Sequence, residues 1–159
     1  MHDVIISWFA NFPRGLATFL IAMIPVTELR ASIPLAYKVY GLSGYLAWTL
    51  SVAGTFSAMI LILALLDPIA EFLSKHFSIF AKFFQWLFEH TRKRAGSKME
   101  KYGEWAIFIL AATPIPLIGG MTGALAAFVF GIPAKKSLPL LLAGTMLSGF
   151  IVLGITIYL

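Results

Sequence analysis

The sequence predicts an all-α integral membrane fold: an inverted repeat of two re-entrant helical hairpins, each followed by one transmembrane helix, with amphipathic interfacial helices alongside. Three observations carry that expectation. Hydrophobic residues fill 60% of the 159 positions and charged residues only 12%, where soluble domains run near ~45–50% and ~25%. Two uncharged stretches, 42–66 and 137–159, are long enough to cross a ~30 Å hydrocarbon core as helices. Two further apolar segments are interrupted by proline and glycine, and they fall at matching places when the chain is shifted by ninety residues along itself.

Taken in order, residues 1–12 (MHDVIISWFANF) predict a short interfacial helix with Trp8 at headgroup depth, closed by Pro13-Arg14. An acid at Asp3 and a brief apolar run do not suit a cleaved signal peptide. Residues 16–24 form an apolar arm too short to span. It leads into PVTELRASIP (25–34), where Pro25 and Pro34 bracket Glu28 and Arg30. A second arm, 35–40, reaches Gly41. The span over 42–66 is then closed by Asp67-Pro68. Over 69–90, Glu71, Ser74, Lys75, Ser78, Lys82, Gln85 and Glu89 recur every three or four positions among phenylalanines. That period predicts an amphipathic helix lying on the membrane surface. Residues 91–104 read as a polar basic loop.

From Trp105 to Ala134 no charge occurs for 30 residues, but the middle, TPIPLIGGMTG (113–123), is full of helix breakers. The second span, 137–159, carries Pro139 in its first turn, where a missing N–H costs little. The expected organisation is one membrane domain over 1–159. It comprises a first repeat of about 14–67, an amphipathic linker 68–104, and a second repeat of about 104–159.

The ninety-residue shift superposes Gly41 on Gly131 and Ala53-Gly54-Thr55 on Ala143-Gly144-Thr145, with 11 identities over 56 positions. Seven of the twelve Lys and Arg residues lie between Lys75 and Lys101, and Lys135-Lys136 adds two. Under the positive-inside rule these belong to the cytoplasmic face, not to a nucleic-acid surface. If each broken segment turns back as a hairpin, all nine share one side. If each crosses, Lys135-Lys136 moves to the other. The hairpin is therefore expected, with the basic stretch 89–104 cytoplasmic, both termini outside, and the chain multi-pass in the cell membrane. Non-helical backbone at that depth is tolerated only where protein or water satisfies it, so the two tips are expected to meet around a cavity.

Glu28 and Arg30 are the first candidates for chemistry, since each charge at such depth costs ~2.5–3.5 kcal/mol on insertion scales. They read either as a self-neutralising structural pair or as an ion or anion site. Ser32 and Thr122 coincide under the repeat, and both types cap helix N-termini, with Pro34 suited to a first turn. Two capped half-helices beside Arg30 would suit a phosphate or carboxylate. Glu28 would then be the exchangeable partner, with a proton or sodium as the coupling ion. Gly119, Gly120 and Gly123 permit a tight second tip, framed by Thr113, Pro114 and Pro116. The glycines at 54 and 144, followed by Ala58 and Ser148, read as helix-packing faces. His2, His76 and His90 stand isolated and are assigned no role. There is no cysteine, and no paired aspartates, HExxH, GxSxG or P-loop pattern. Neither an enzyme, a metal site nor a cofactor is expected.

PVTELRASIPLAY, together with ATPIPLIGGMTGALAAFVFGI, resembles the small multidrug export protein family of bacteria and archaea, which is itself similar to the DedA (VTT-domain) membrane proteins. The resemblance covers nearly the whole chain. It implies two re-entrant hairpins plus membrane helices. For function it implies transport, either of lipid phosphates as in the DedA group or of drugs as the family name says. The family's Thr-Gly-Ala-Trp-Thr-Gly pattern is here Gly119-Gly120-Met121-Thr122-Gly123, without the tryptophan. The arginine that DedA proteins carry in the second hairpin is also missing, so a two-arginine phosphate clamp does not transfer. The expected function is an ion-coupled transporter or flippase for an anionic lipid or small molecule. A multidrug exporter and a structural or assembly protein are the alternatives. Membrane lipids are the expected partners, and a homodimer is compatible with so short a chain.

Overall fold

The computed structural model describes residues 11–115 and 119–159. The helix expected over 1–12, with Trp8, lies almost wholly outside those residues, as does Pro116. The chain forms two compact units, one of residues up to 58 together with 145–159, the other of residues 59–144. All regular structure among the described residues is helical.

In the first unit, α1 (Arg14–Met23) ends because Ile24 is extended, at φ −74° and ψ 125°. The following Pro25 disfavours helical geometry at the residue before it. The chain turns over 24–27 and re-enters helix as α2 (Glu28–Pro34), which continues as a π-helical turn, Leu35–Val39. Pro34 was expected to bracket the tip with Pro25, or to open a half-helix. It lies inside this helix instead. Its ring lacks the N–H and crowds the carbonyl four residues back, and a local widening to π geometry follows it. Tyr40 N–H accordingly bonds Leu35 O at 3.0 Å, and Leu42 N–H bonds Ala36 O at 2.9 Å, across Gly41 at φ +67°.

In the second unit α5 (Trp105–Ala112) ends by the same device, with Thr113 extended before Pro114. The return helix α6 (Gly120–Val129) has Ala124 where the first repeat has Pro34, and it stays α-helical. It closes in a Schellman motif: Gly131, again at φ +67°, bonds Phe128 O at 3.1 Å, and Ile132 N–H bonds Ala127 O at 2.9 Å.

Among the described residues two helices are long and apolar enough to cross a membrane: α3 (Gly44–His76, 33 residues) and α7 (Ala134–Tyr158, 25 residues). Only 33% and 39% of their most apolar windows are buried by protein, which leaves Leu61, Leu65, Phe150 and Ile155 facing outward. An unpaired apolar surface of that size belongs in lipid.

Four further expectations are corrected. Asp67-Pro68 does not close α3, which runs on to His76; one proline removes a single hydrogen bond from a long cooperative helix. The amphipathic segment is not one helix over 69–90. It breaks at Phe77 (φ −139°, ψ 117°), where α4 (Ser78–Tyr102) starts. The basic stretch 91–104 is not a loop but the second half of α4, stopped by Gly103 at φ +57°. Residues 91–102 are mostly good helix formers, and Ala95 packs with Leu110 and Ala126, against which Met99 also lies. Similarly, α7 starts at Ala134, so Pro139 falls in its second turn and not its first.

Candidate functional site

The first broken segment is shaped by small and polar groups. Ile21, Ala22, Leu29, Ile33 and Ala36 are buried between α1 and α2. Gly54 of α3 presses on α1 so closely that a Cβ there would lie 2.3 Å from Phe19 O. Beside it the Thr55 hydroxyl donates to Ala22 O at 3.1 Å. At the turn, the buried Thr27 hydroxyl reaches back to Ile21 O at 2.6 Å, adding a second donor to a carbonyl at the end of α1 that also accepts the Ile24 N–H at 3.2 Å. Thr27, overlooked in the sequence, is what seals this tip.

Glu28 opens α2 at φ +39°, the one described non-glycine residue with positive φ. An L side chain in that region costs roughly 1–2 kcal/mol, and such outliers concentrate at functional sites. Glu28 and Arg30 are both half-buried, and the Glu28 carboxylate acts coulombically on the Arg30 guanidinium. Pro25 stands exposed in the turn. Ser32 does not cap a helix. It lies in the middle of α2, fully buried, and its hydroxyl has no hydrogen-bond partner.

The second segment differs in its tip. Gly119 is the N-cap residue of α6 and Gly120 its first residue, both buried, while Thr122 is the third helical residue and not the cap. Gly123 serves packing: a Cβ would meet Leu141 Cδ2 at 3.0 Å and Ile107 O at 3.3 Å. Thr113 Oγ1 donates to Ile109 O at 2.6 Å, and Pro114 is half-buried next to it. Gly144 of α7 meets α5 as Gly54 meets α1, with its Cβ position 2.7 Å from Phe108 O and 2.6 Å from Ala111 Cβ. Thr122 also lines an open cavity against α4.

Each segment is tied at its mouth. Arg14 Nη1 donates to Tyr40 O at 3.0 Å, and Lys136 Nζ pairs with Glu104 Oε1 at 2.8 Å. Among the described residues no cluster of His, Cys, Asp or Glu could hold a metal ion. What the first tip offers is a half-buried carboxylate and guanidinium two residues apart, on a segment that also buries the Thr27 and Ser32 hydroxyls.

A family model described as "Putative small multi-drug export protein" matches residues 28–151, which is most of the chain, from Glu28 at the start of α2 through the second tip. No curated protein and no solved structure matches it.

Proposed function

The chain belongs to the small multi-drug export protein family, and from that premise we propose that it is an ion-coupled membrane transporter or flippase for an anionic substrate such as a lipid phosphate. In this reading each broken segment dips partway into the bilayer and returns. Helices of 10, 8 and 10 residues support it, since at ~1.5 Å per residue none reaches across the ~30 Å core. The tied mouths support it too. A single crossing by α3 between the segments makes the two repeats inverted, with the basic face of α4 and Lys135-Lys136 in the cytoplasm.

The observation that carries the substrate class is the Glu28–Arg30 pair. A guanidinium held beside a carboxylate is available to an anion once that carboxylate is protonated or bound to a cation, which couples the ion to the substrate. Glu28, set at the start of α2, is the exchangeable partner; Arg30 contacts the anion; and the buried Ser32 hydroxyl supplies a donor without a competing protein acceptor. Glycines 119, 120 and 123 with Thr122 shape the second tip.

Reconstituted liposomes with a fluorescent polyprenyl phosphate test this. Wild-type protein should move the lipid between leaflets, and Glu28→Gln or Arg30→Ala should slow it about tenfold or more, the worth of one charge-assisted hydrogen bond. Undiminished movement in both variants would sink the assignment. Proton flux driven by ethidium, with no lipid movement, would identify a drug exporter as the family's description reads. Inertness towards both would leave a structural or assembly protein.

A further inference from the structure

We infer that the second unit carries a separate ligand site, on the face between α4 and α6, for an amphiphile with a phosphomonoester head. Trp86, His90 and Arg94 follow one another at four-residue spacing and so form one row along α4. That row, with Leu87 and with Thr122 and Leu125 of α6, lines an open cavity of about 440 Å³, within the range of small-molecule sites. The Trp86 and His90 rings stack on one another at 5.1 Å and 17°, which fixes the two side chains together along the row. Leu87 and Leu125 make the rest of the wall apolar.

Arg94 brings a guanidinium, Thr122 a hydroxyl and His90 a ring nitrogen, the Thr91 hydroxyl is already given to Leu87 O, and no carboxylate is among the described residues that line the cavity. A guanidinium matches phosphate oxygens with two parallel N–H bonds. Thr122 sits in the first turn of a ten-residue helix, whose positive end favours the same charge. An apolar body against Trp86, Leu87 and Leu125, with its phosphate towards Arg94, satisfies both halves of the site. A hydrophobic cation satisfies only one.

Thr122 also belongs to the second tip of the transport reading, but the test reads equilibrium binding through Arg94 and Leu125, which that reading does not use, so the two stand or fall apart. The test titrates purified protein in maltoside detergent with dihexanoyl phosphatidic acid, dihexanoylglycerol, inorganic phosphate and tetraphenylphosphonium, followed by calorimetry. The phosphatidic acid should bind about tenfold tighter than the neutral glyceride and tighter than inorganic phosphate. Arg94→Gln should erase the preference over the glyceride. Lys98→Gln, one turn further on and outside the cavity, should keep it, and Leu125→Trp should fill the cavity and abolish binding of both. Several results overturn the inference: no saturable binding, a preference that survives in Arg94→Gln, wild-type binding in Leu125→Trp, inorganic phosphate binding as tightly as the lipid, or tetraphenylphosphonium binding tighter.

Discussion

The guanidinium of Arg14 donates to the backbone carbonyl of Tyr40 at 3.0 Å, across 26 residues, so the first broken segment returns to where it began. Glu104 and Lys136 close the second segment in the same way at 2.8 Å, and the ninety-residue shift carries Arg14 onto Glu104. Both ties are exposed and contribute little stability. Their value is geometric, because they mark where the chain enters and leaves each segment. The chain has no cysteine, so Lys93→Cys and Lys135→Cys can each be labelled singly. Both should react with an impermeant maleimide from the same side of the membrane. Labelling from opposite sides would mean that residues 105–134 cross.

Gly54 and Gly144 bring a long helix onto the backbone of a short one, with Cβ positions 2.3 Å and 2.7 Å from carbonyl oxygens. Backbone cannot step aside as a side-chain tip can. Gly54→Ala and Gly144→Ala should each cost about 1–3 kcal/mol. Gly96 lies in α4 with nothing near its Cβ position, and Gly96→Ala should instead gain up to about 1 kcal/mol from helix propensity. Thermal unfolding in detergent would order the three, and equal shifts would refute the close-approach account.

Backbone strain at Glu28 separates from the chemistry of its side chain. Glu28→Gly and Glu28→Ala both remove the carboxylate, but only glycine accepts φ +39° without penalty. The glycine variant should unfold later than the alanine variant by about 1 kcal/mol, while both lose ion coupling. An alanine variant as stable as the glycine one would show that the backbone relaxes there.

Two buried hydroxyls near this tip should behave oppositely. Thr27→Val removes the bond to Ile21 O and should cost about 1 kcal/mol, the net worth of one buried hydrogen bond, since Ile21 O keeps the Ile24 N–H. Ser32→Ala removes a hydroxyl with no protein partner and should leave stability within about 0.5 kcal/mol. If Ser32 contacts the substrate, the same variant should still slow transport. A melting point lowered as far as that of Thr27→Val would show that the Ser32 hydroxyl is structural.

Much of the fold was written locally. α1 and α5 end two residues before Pro25 and Pro114, with Ile24 and Thr113 extended between, because the steric clash between a proline ring and the preceding residue needs no partner elsewhere. The turns at Gly41 and Gly131, both at φ +67°, follow from the one residue type that takes that angle freely. The apolar lengths of α3 and α7 likewise announce membrane helices on their own. Tertiary structure decided what local signals left balanced. Pro68 and the charged residues after Thr91 read as stops, yet the helices run through them. A cooperative helix absorbs one lost hydrogen bond, and Ala95 and Met99 acquire a surface to pack on only once α5 and α6 are in place. Nor does sequence spacing place Thr122 opposite His90 and Arg94. The packing of α6 on α4 puts them around one cavity, since residues roughly thirty apart meet only when the chain between them has folded back.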